Sequence, residues 1–167
     1  FYNFDGENSL IKKDLYGNRI WEIEGNFHHL MSINKDYLWA LKKSKFGSYE
    51  IAEQFLKIDT SNGKIISSFN VQDLINANKP FDYFSIKQRD LSNIWEYEPF
   101  HFNDVDVLTG EFSGYFYGYN EGDLLISSRS LNSVFIIDPQ TLKVKRVTQL
   151  IVNLFVNKFI IKKSKSI

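Results

Sequence analysis

Hydrophobic and polar residues alternate along most of the chain in short runs, and the runs end at groups of Asp, Asn, Gly or Pro. Alternation with a period of two is typical of β-strands that are buried on one face. We predict strands over the following stretches: 27–33, 37–43, 51–58, 64–69, 100–108, 123–128 and 133–138. One short helix is predicted near 71–77, because Asn70 or Asp73 can begin it and Pro80 lies beyond its end.

Three segments repeat one pattern, in which an apolar run is followed by an Asp, a tight turn and a second short strand. The aspartates are Asp14, Asp59 and Asp138, and each segment is predicted to form a β-hairpin. Asp14 and Asp59 are 45 residues apart, within the roughly 40–50 residues of one four-stranded propeller blade. The next interval is 79 residues, because it contains a helical insertion at 70–93 and a Gly- and aromatic-rich loop at 109–123.

These repeats favour an all-β fold, a partial β-propeller of about three blades of antiparallel strands with one short inserted helix. A two-sheet sandwich is the alternative. About three blades do not close a ring, so we expect open sheet edges. The propeller is assigned to residues 1–149. Residues 150–167 form an atypical tail rich in Ile, Lys, Asn, Phe and Ser, which we interpret as a shifted reading frame or a truncated end.

Composition limits the classes of function. The sequence has 20 basic and 20 acidic side chains, which argues against a nucleic-acid-binding or polybasic membrane surface. It has no Cys, which excludes disulfides, thiolate metal sites and a cysteine nucleophile. The longest apolar run, 150–161, is too short and too polar to span a bilayer. We therefore expect a soluble protein without nucleic-acid or membrane partners. Because Phe1 is not a Met, we also expect a fragment; the oligomeric state is not indicated.

Polar side chains are placed at equivalent positions of two predicted strands. In the stretch "PFHFND", His101 and Asn103 should share one strand face, with Phe100 and Phe102 on the other. His28 and His29 occupy the corresponding position of the first repeat, in "NFHHLM". Since innermost strands of successive blades line one channel, these histidines are expected to converge there.

Two other interpretations of the histidines remain open. The first is that they are ordinary half-exposed strand residues. The second is that they ligate a metal, against which the sequence lacks a close His–carboxylate spacing. Arg129 ends the strand that follows His101 and is expected to be its antiparallel neighbour. A guanidinium beside an imidazole and an amide offers several donors to a sulfate, phosphate or carboxylate group.

The stretches "HFNDVDVL", "GDLLISSRSLNSVFIIDPQTLKVKR" and "DLYGNRIWEIEGNFHHLMSI" resemble the bacterial-type arylsulfotransferases, which do not use a nucleotide sulfate donor. The resemblance covers roughly residues 8–148. It implies a six-bladed propeller that transfers a sulfuryl group from an aryl sulfate ester to a phenolic acceptor, without a cofactor, in the periplasm or outside the cell. It also implies that His101, Asn103 and Arg129 bind the sulfuryl group, beside either His28 or His29. Alignment of the Phe-His pairs favours His28.

The resemblance further implies a nucleophilic histidine that forms a sulfohistidine, one blade after "KVKRVTQ". No histidine follows His101 in this sequence. We therefore predict that this chain alone is inactive. The alternative functions are a non-enzymatic propeller module that binds a small anion or a protein partner, and a structural repeat protein without a site.

Overall fold

The computed structural model describes residues 1–5, 8–46, 49–81, 83–84 and 100–149. These residues form mainly β-strands. In chain order the elements are β1 (Tyr2–Asp5), β2 (Ser9–Lys13), β3 (Arg19–Glu24), β4 (Phe27–Asn34), β5 (Tyr37–Phe46), β6 (Tyr49–Asp59), β7 (Ile65–Asn70), α1 (Val71–Ala77), β8 (Phe102–Val107), α2 (Gly110–Ser113), β9 (Leu124–Ser128), β10 (Ser133–Ile137) and β11 (Val144–Gln149).

The strands form three antiparallel sheets in which neighbours in sequence are neighbours in space. Sheet 1 has the order β1-β2-β3, sheet 2 the order β4-β5-β6-β7, and sheet 3 the order β8-β9-β10-β11. Within the described ranges no sheet closes into a barrel. The predicted antiparallel, mostly β architecture is therefore confirmed, and the seven predicted strands agree with β4 to β10 within a few residues.

The three predicted hairpins are confirmed, and an aspartate begins the turn of each. One carboxylate oxygen, Oδ1, accepts hydrogen bonds from backbone N–H groups at 2.7–3.4 Å. The donors are Tyr16 and Asn18 for Asp14, Ser61 for Asp59, and Gln140 and Thr141 for Asp138. Such a local bond replaces the ladder partners that the turn backbone lacks, which is why a short acid is used at this position.

The predicted helix is also confirmed. Asn70 accepts a hydrogen bond from the Asp73 N–H at 3.0 Å, and the Asp73 carboxylate accepts one from the Asn70 N–H at 2.8 Å. This reciprocal capping box satisfies two backbone donors at the helix start. At the other end, the buried Asn78 side chain donates to the carbonyl oxygens of Leu74 and Leu142 and accepts from the Val144 N–H. Asn78 thus joins α1 to the β10–β11 hairpin of sheet 3.

Sheets 2 and 3 pack against each other, and α1 lies with them around one apolar core. Its centre is aromatic: the Phe55 and Phe69 rings stack at 4.7 Å, and the Phe55 and Phe102 rings meet edge to face at 5.3 Å. The first strands of the two sheets, β4 and β8, lie side by side. The Val107 N–H of β8 donates to Ser32 Oγ of β4 at 3.0 Å. This packing places the beginnings of β4 and β8 next to each other.

The insertion at 109–123 differs in part from the predicted loop, because its first residues form the short helix α2. Tyr115 and Tyr117 in this insertion are exposed. It connects the end of β8 to the start of β9, so it lies at the opposite end of sheet 3 from His101. Part of the predicted insertion 70–93 and the whole tail 150–167 lie outside the described residues. None of the described helices is long and apolar enough to cross a membrane.

Candidate functional site

The three histidines of the sequence lie together where β4 and β8 begin. The His29 ring lies between the other two, with its centroid 4.4 Å from that of His28 and 5.4 Å from that of His101. His28 is buried, His101 is half-buried and His29 is exposed. Two residues that are 72 positions apart in the sequence, His29 and His101, therefore meet through the packing of sheet 2 on sheet 3.

Local backbone irregularities turn these side chains toward each other. In β4, His28 pairs with Leu41 and Ser32 pairs with Trp39, so three residues, including His29, oppose the single residue Ala40. Such a bulge redirects side chains and is common near functional sites. His29 has a φ of 62° and His101 has a φ of 41°, both in the left-handed region.

A left-handed conformation at a non-glycine residue costs roughly 1–3 kcal/mol and persists only where the surroundings fix it. Histidine tolerates this region better than most residues. Two hydrogen bonds hold the backbone around His101. The Arg129 N–H donates to the His101 carbonyl at 3.0 Å, and Ser128 Oγ donates to the Phe100 carbonyl. The local geometry of His101 is thus fixed from the neighbouring strand β9.

Asn103 lies at a second bulge. Phe102 pairs with Ser128 and Asp104 pairs with Ser127, so Asn103 is the extra residue of β8. Phe102 is fully buried whereas Asn103 is half-buried. The predicted separation of polar and aromatic side chains is therefore present in their burial, although the bulge interrupts the regular alternation after Phe102.

Arg129 lies next to His101, because β8 and β9 are antiparallel neighbours as predicted. Its backbone is bonded to His101 and the residue is exposed. Imidazole, amide and guanidinium groups all carry N–H donors, and the guanidinium presents them in a fixed fork. Residues with N–H donors therefore lie on β8, at His101 just before it and at Arg129 just after β9.

Sequence reasoning missed Glu53. This residue of β6 is 1% exposed, and its Oε1 accepts a hydrogen bond from the Phe102 N–H at 2.9 Å. One signal was present in the sequence: Glu53 lies two residues before Phe55, so strand alternation places a carboxylate on the apolar face. A buried acid at such a position requires a hydrogen-bonding partner.

A metal was one interpretation of the histidines. Among the described residues, no group of three or more His, Cys, Asp and Glu side chains is arranged to hold a metal ion. An anion site would instead need hydrogen-bond donors, which imidazole, amide and guanidinium groups carry.

The described residues thus form a mostly β protein of antiparallel meanders, in which the first strands of sheets 2 and 3 bring the histidines together. Residues 14–149 match the family model of arylsulfotransferase (ASST), so the chain belongs to the arylsulfotransferase family. The family predicted from the sequence is confirmed. A comparison with curated proteins gave no match.

Proposed function

We propose that this chain carries the sulfuryl-binding part of an arylsulfotransferase site, which transfers a sulfuryl group from an aryl sulfate ester to a phenolic acceptor. The observation that carries this proposal is the meeting of His28, His29 and His101 at the beginnings of β4 and β8. Family membership supports sulfuryl transfer as the reaction type.

The proposed architecture is a partial propeller. Sheets 2 and 3 are each four-stranded meanders, and their first strands lie side by side, which is the relation between the innermost strands of adjacent blades. Sheet 1, with three strands, would be part of another blade. In this arrangement the beginnings of β4 and β8 face the central channel, where a substrate would enter.

Within this site His101, Asn103 and Arg129 would donate to the sulfuryl oxygens. We assign His29 as the histidine beside them, rather than His28, which the Phe-His alignment favoured. Two observations support His29: it shares the left-handed backbone of His101, and its ring contacts the His101 ring. The buried His28 would then support His29 from behind.

The chemistry suits these residue types. Sulfuryl transfer requires in-line attack on sulfur while charge on three oxygens is stabilised, so the protein mainly supplies positioned donors. In the first step of the proposed reaction, a histidine nitrogen forms a bond to sulfur while the bond from sulfur to the aryl oxygen breaks. In the second, the oxygen of an acceptor phenol forms a bond to sulfur while the bond from sulfur to the histidine nitrogen breaks, and the phenol proton passes, directly or through water, to the phenolate released in the first step. No histidine follows His101 in this sequence, so we propose that the chain as given binds but does not transfer.

Binding of inorganic sulfate tests the site. The three histidines give three resolvable sets of ring signals in NMR spectra, and sulfate should shift those of His29 and His101. Arg129→Lys should weaken binding about tenfold, because a hydrogen bond to a charged group contributes about 1.5–3 kcal/mol and lysine lacks the planar fork. Arg146→Lys, which alters an exposed arginine of β11, is the matched control and should leave binding unchanged.

Three outcomes contradict the proposal: no shift of any histidine signal by sulfate, a shift confined to His28, or equal weakening by the two arginine variants. If sulfate binds as expected but an aryl sulfate does not compete with it, the site is a small-anion module rather than part of a transferase.

A further inference from the structure

We propose that Glu53 is a positioning residue that holds the His101 imidazole beside His29. This inference rests on the proposed function, since it explains how the sulfuryl-binding site is assembled before the substrate arrives. Glu53 belongs to β6 in sheet 2, whereas His101 belongs to the chain segment that leads into sheet 3. The residue therefore connects the two sheets at the histidines.

The connection exists because β8 is the terminal strand of its sheet. One edge of β8 pairs with β9, and N–H groups on the other edge point away from that ladder. Two of these N–H groups are bonded to side chains of sheet 2: Phe102 donates to Glu53 at 2.9 Å, and Val107 donates to Ser32 at 3.0 Å. A buried N–H needs such an acceptor, so the two bonds fix the two ends of β8.

The hydrogen bond at Phe102, unlike the one at Val107, restrains the backbone of a histidine. The Phe102 N–H and the His101 carbonyl belong to the same peptide unit. The N–H of this peptide donates a hydrogen bond to Glu53, and its carbonyl oxygen accepts one from the Arg129 N–H at 3.0 Å. Both polar groups of the peptide are thus bound, so the unit cannot rotate without breaking a bond. This clamp restricts the ψ angle of His101, the residue with a φ of 41°.

The chemistry of the side chain also indicates a specific role. A carboxylate that is 1% exposed, beside Phe55 and Phe102, is an unfavourable choice for packing alone. Its Oε1 is, however, an acceptor for the Phe102 N–H at 2.9 Å, which an apolar side chain at this position could not supply. Such an acceptor suits a peptide that holds a strained residue in place.

The test uses the full chain with three variants. Glu53→Met removes the oxygen acceptor but keeps a side chain of similar length. Glu53→Gln keeps a side-chain oxygen that can accept the same hydrogen bond. Ser32→Ala is the matched control, because it removes the equivalent acceptor at the far end of β8. The main readout is the nuclear Overhauser effect between the His29 and His101 rings without ligand, and the second is sulfate affinity followed through the histidine signals.

We expect Glu53→Met to abolish the contact between the two rings and to weaken sulfate binding about tenfold, the effect of losing one aligned donor to a charged group. Glu53→Gln should retain the contact. Ser32→Ala should lower the melting temperature without moving any histidine signal. The proposal is overturned if Glu53→Met leaves the ring contact intact, if Glu53→Gln abolishes it, or if Ser32→Ala disturbs it equally.

The two measurements test the two proposals separately: sulfate binding tests the proposed function, and the contact between the His29 and His101 rings tests the role of Glu53. If the unmodified chain does not bind sulfate, the proposed function fails, while the ring contact still decides whether Glu53 positions His101. If Glu53→Met does not fold, hydrogen exchange at the Phe102 amide of the unmodified chain decides instead. Slow exchange there, with the ring contact retained in Glu53→Gln, supports the proposal, and exchange as fast as in an unprotected amide overturns it.

Discussion

The two ends of sheets 2 and 3 are built in different ways. The turn end contains the hairpins that begin at Asp59 and Asp138, where each carboxylate bonds to backbone donors two or three residues away. The histidine end contains His29 and His101, two bulges, and a hydrogen bond between the sheets whose partners are 49 residues apart. Regular strands run between the two ends. Sequence-local hydrogen bonds thus shape the hairpin turns at one end, whereas the conformation of the histidines at the other depends on the packing of one sheet on another.

This difference is consistent with a division between folding and function. Turns that are fixed by adjacent residues can form early and independently of the rest of the sheet. Left-handed residues at a packed interface are stable only once both sheets are in place. A substrate site that needs aligned donors is therefore expected at the histidine end.

The largest expected effect concerns activity. The purified chain should not transfer sulfate between phenols, because it lacks the histidine that the family pattern places after "KVKRVTQ". Loss of a covalent nucleophile removes the route itself, whereas loss of one donor costs only about 10²–10³ in rate. The assay follows release of phenolate from a chromogenic aryl sulfate in the presence of a second phenol. Turnover that His29→Gln or His28→Gln abolishes would show that one of these residues is the nucleophile.

The next prediction separates the two adjacent histidines. His29→Gln should weaken sulfate binding about tenfold with little change in stability, because His29 is exposed and contacts the His101 ring. His28→Gln should instead lower the free energy of unfolding by about 1–3 kcal/mol, because His28 is buried in sheet 2. Sulfate titration and urea unfolding measure the two effects. The reverse result would restore His28 as the histidine beside His101.

The sequence was sufficient to predict the turn end and most of the regular structure. Asp59 predicts a turn and Asn70 predicts a helix start, because the side chain of each accepts a hydrogen bond from a residue at most three positions away in the sequence. The left-handed φ of His101 and its clamp by Glu53 were not predictable in this way. They depend on which N–H of β8 faces sheet 2, and that depends on the bulge at Asn103 and on the packing of β8 against its neighbours. The convergence of the histidines was predictable only through the equivalence of the repeats.

A smaller effect is expected where α1 meets the turn end. Asn78 is 2% exposed and its side chain makes three hydrogen bonds, two of them to Leu142 and Val144 of the β10–β11 hairpin. Asn78→Ala should lower the free energy of unfolding by about 1–3 kcal/mol, because it leaves buried backbone groups without partners. The histidine signals should be unchanged. Asn76→Ala, which alters an exposed residue of the same helix, is the control. Movement of the histidine signals by Asn78→Ala would show that the two ends are coupled.

The smallest expected effect is a loss of stability at low pH that originates at the three hairpin turns. The pKa of Asp14 is lowered by the Asn18 side chain, and the pKa of Asp59 is lowered by the Ser61 hydroxyl and backbone N–H. At Asp138 burial acts to raise the pKa, but hydrogen bonds from Gln140 and Thr141 lower it overall. All three folded-state values therefore lie below the ordinary value of 3.8.

The sign of the effect follows from linkage. A carboxyl group with a lowered pKa contributes stability that is fully present above its unfolded pKa and is lost as the pH falls through its folded pKa. Urea unfolding should therefore show a decline in stability below about pH 4. Asp59→Asn removes one titrating group and keeps a side chain that can form the turn, so the decline should become shallower while stability at pH 7 changes little. Asn76→Ala, an exposed substitution in α1 that changes no ionisable group, is the control and should leave the slope unchanged. An Asp59→Asn slope equal to that of the unmodified chain would show that the Asp59 turn does not contribute to the acid sensitivity.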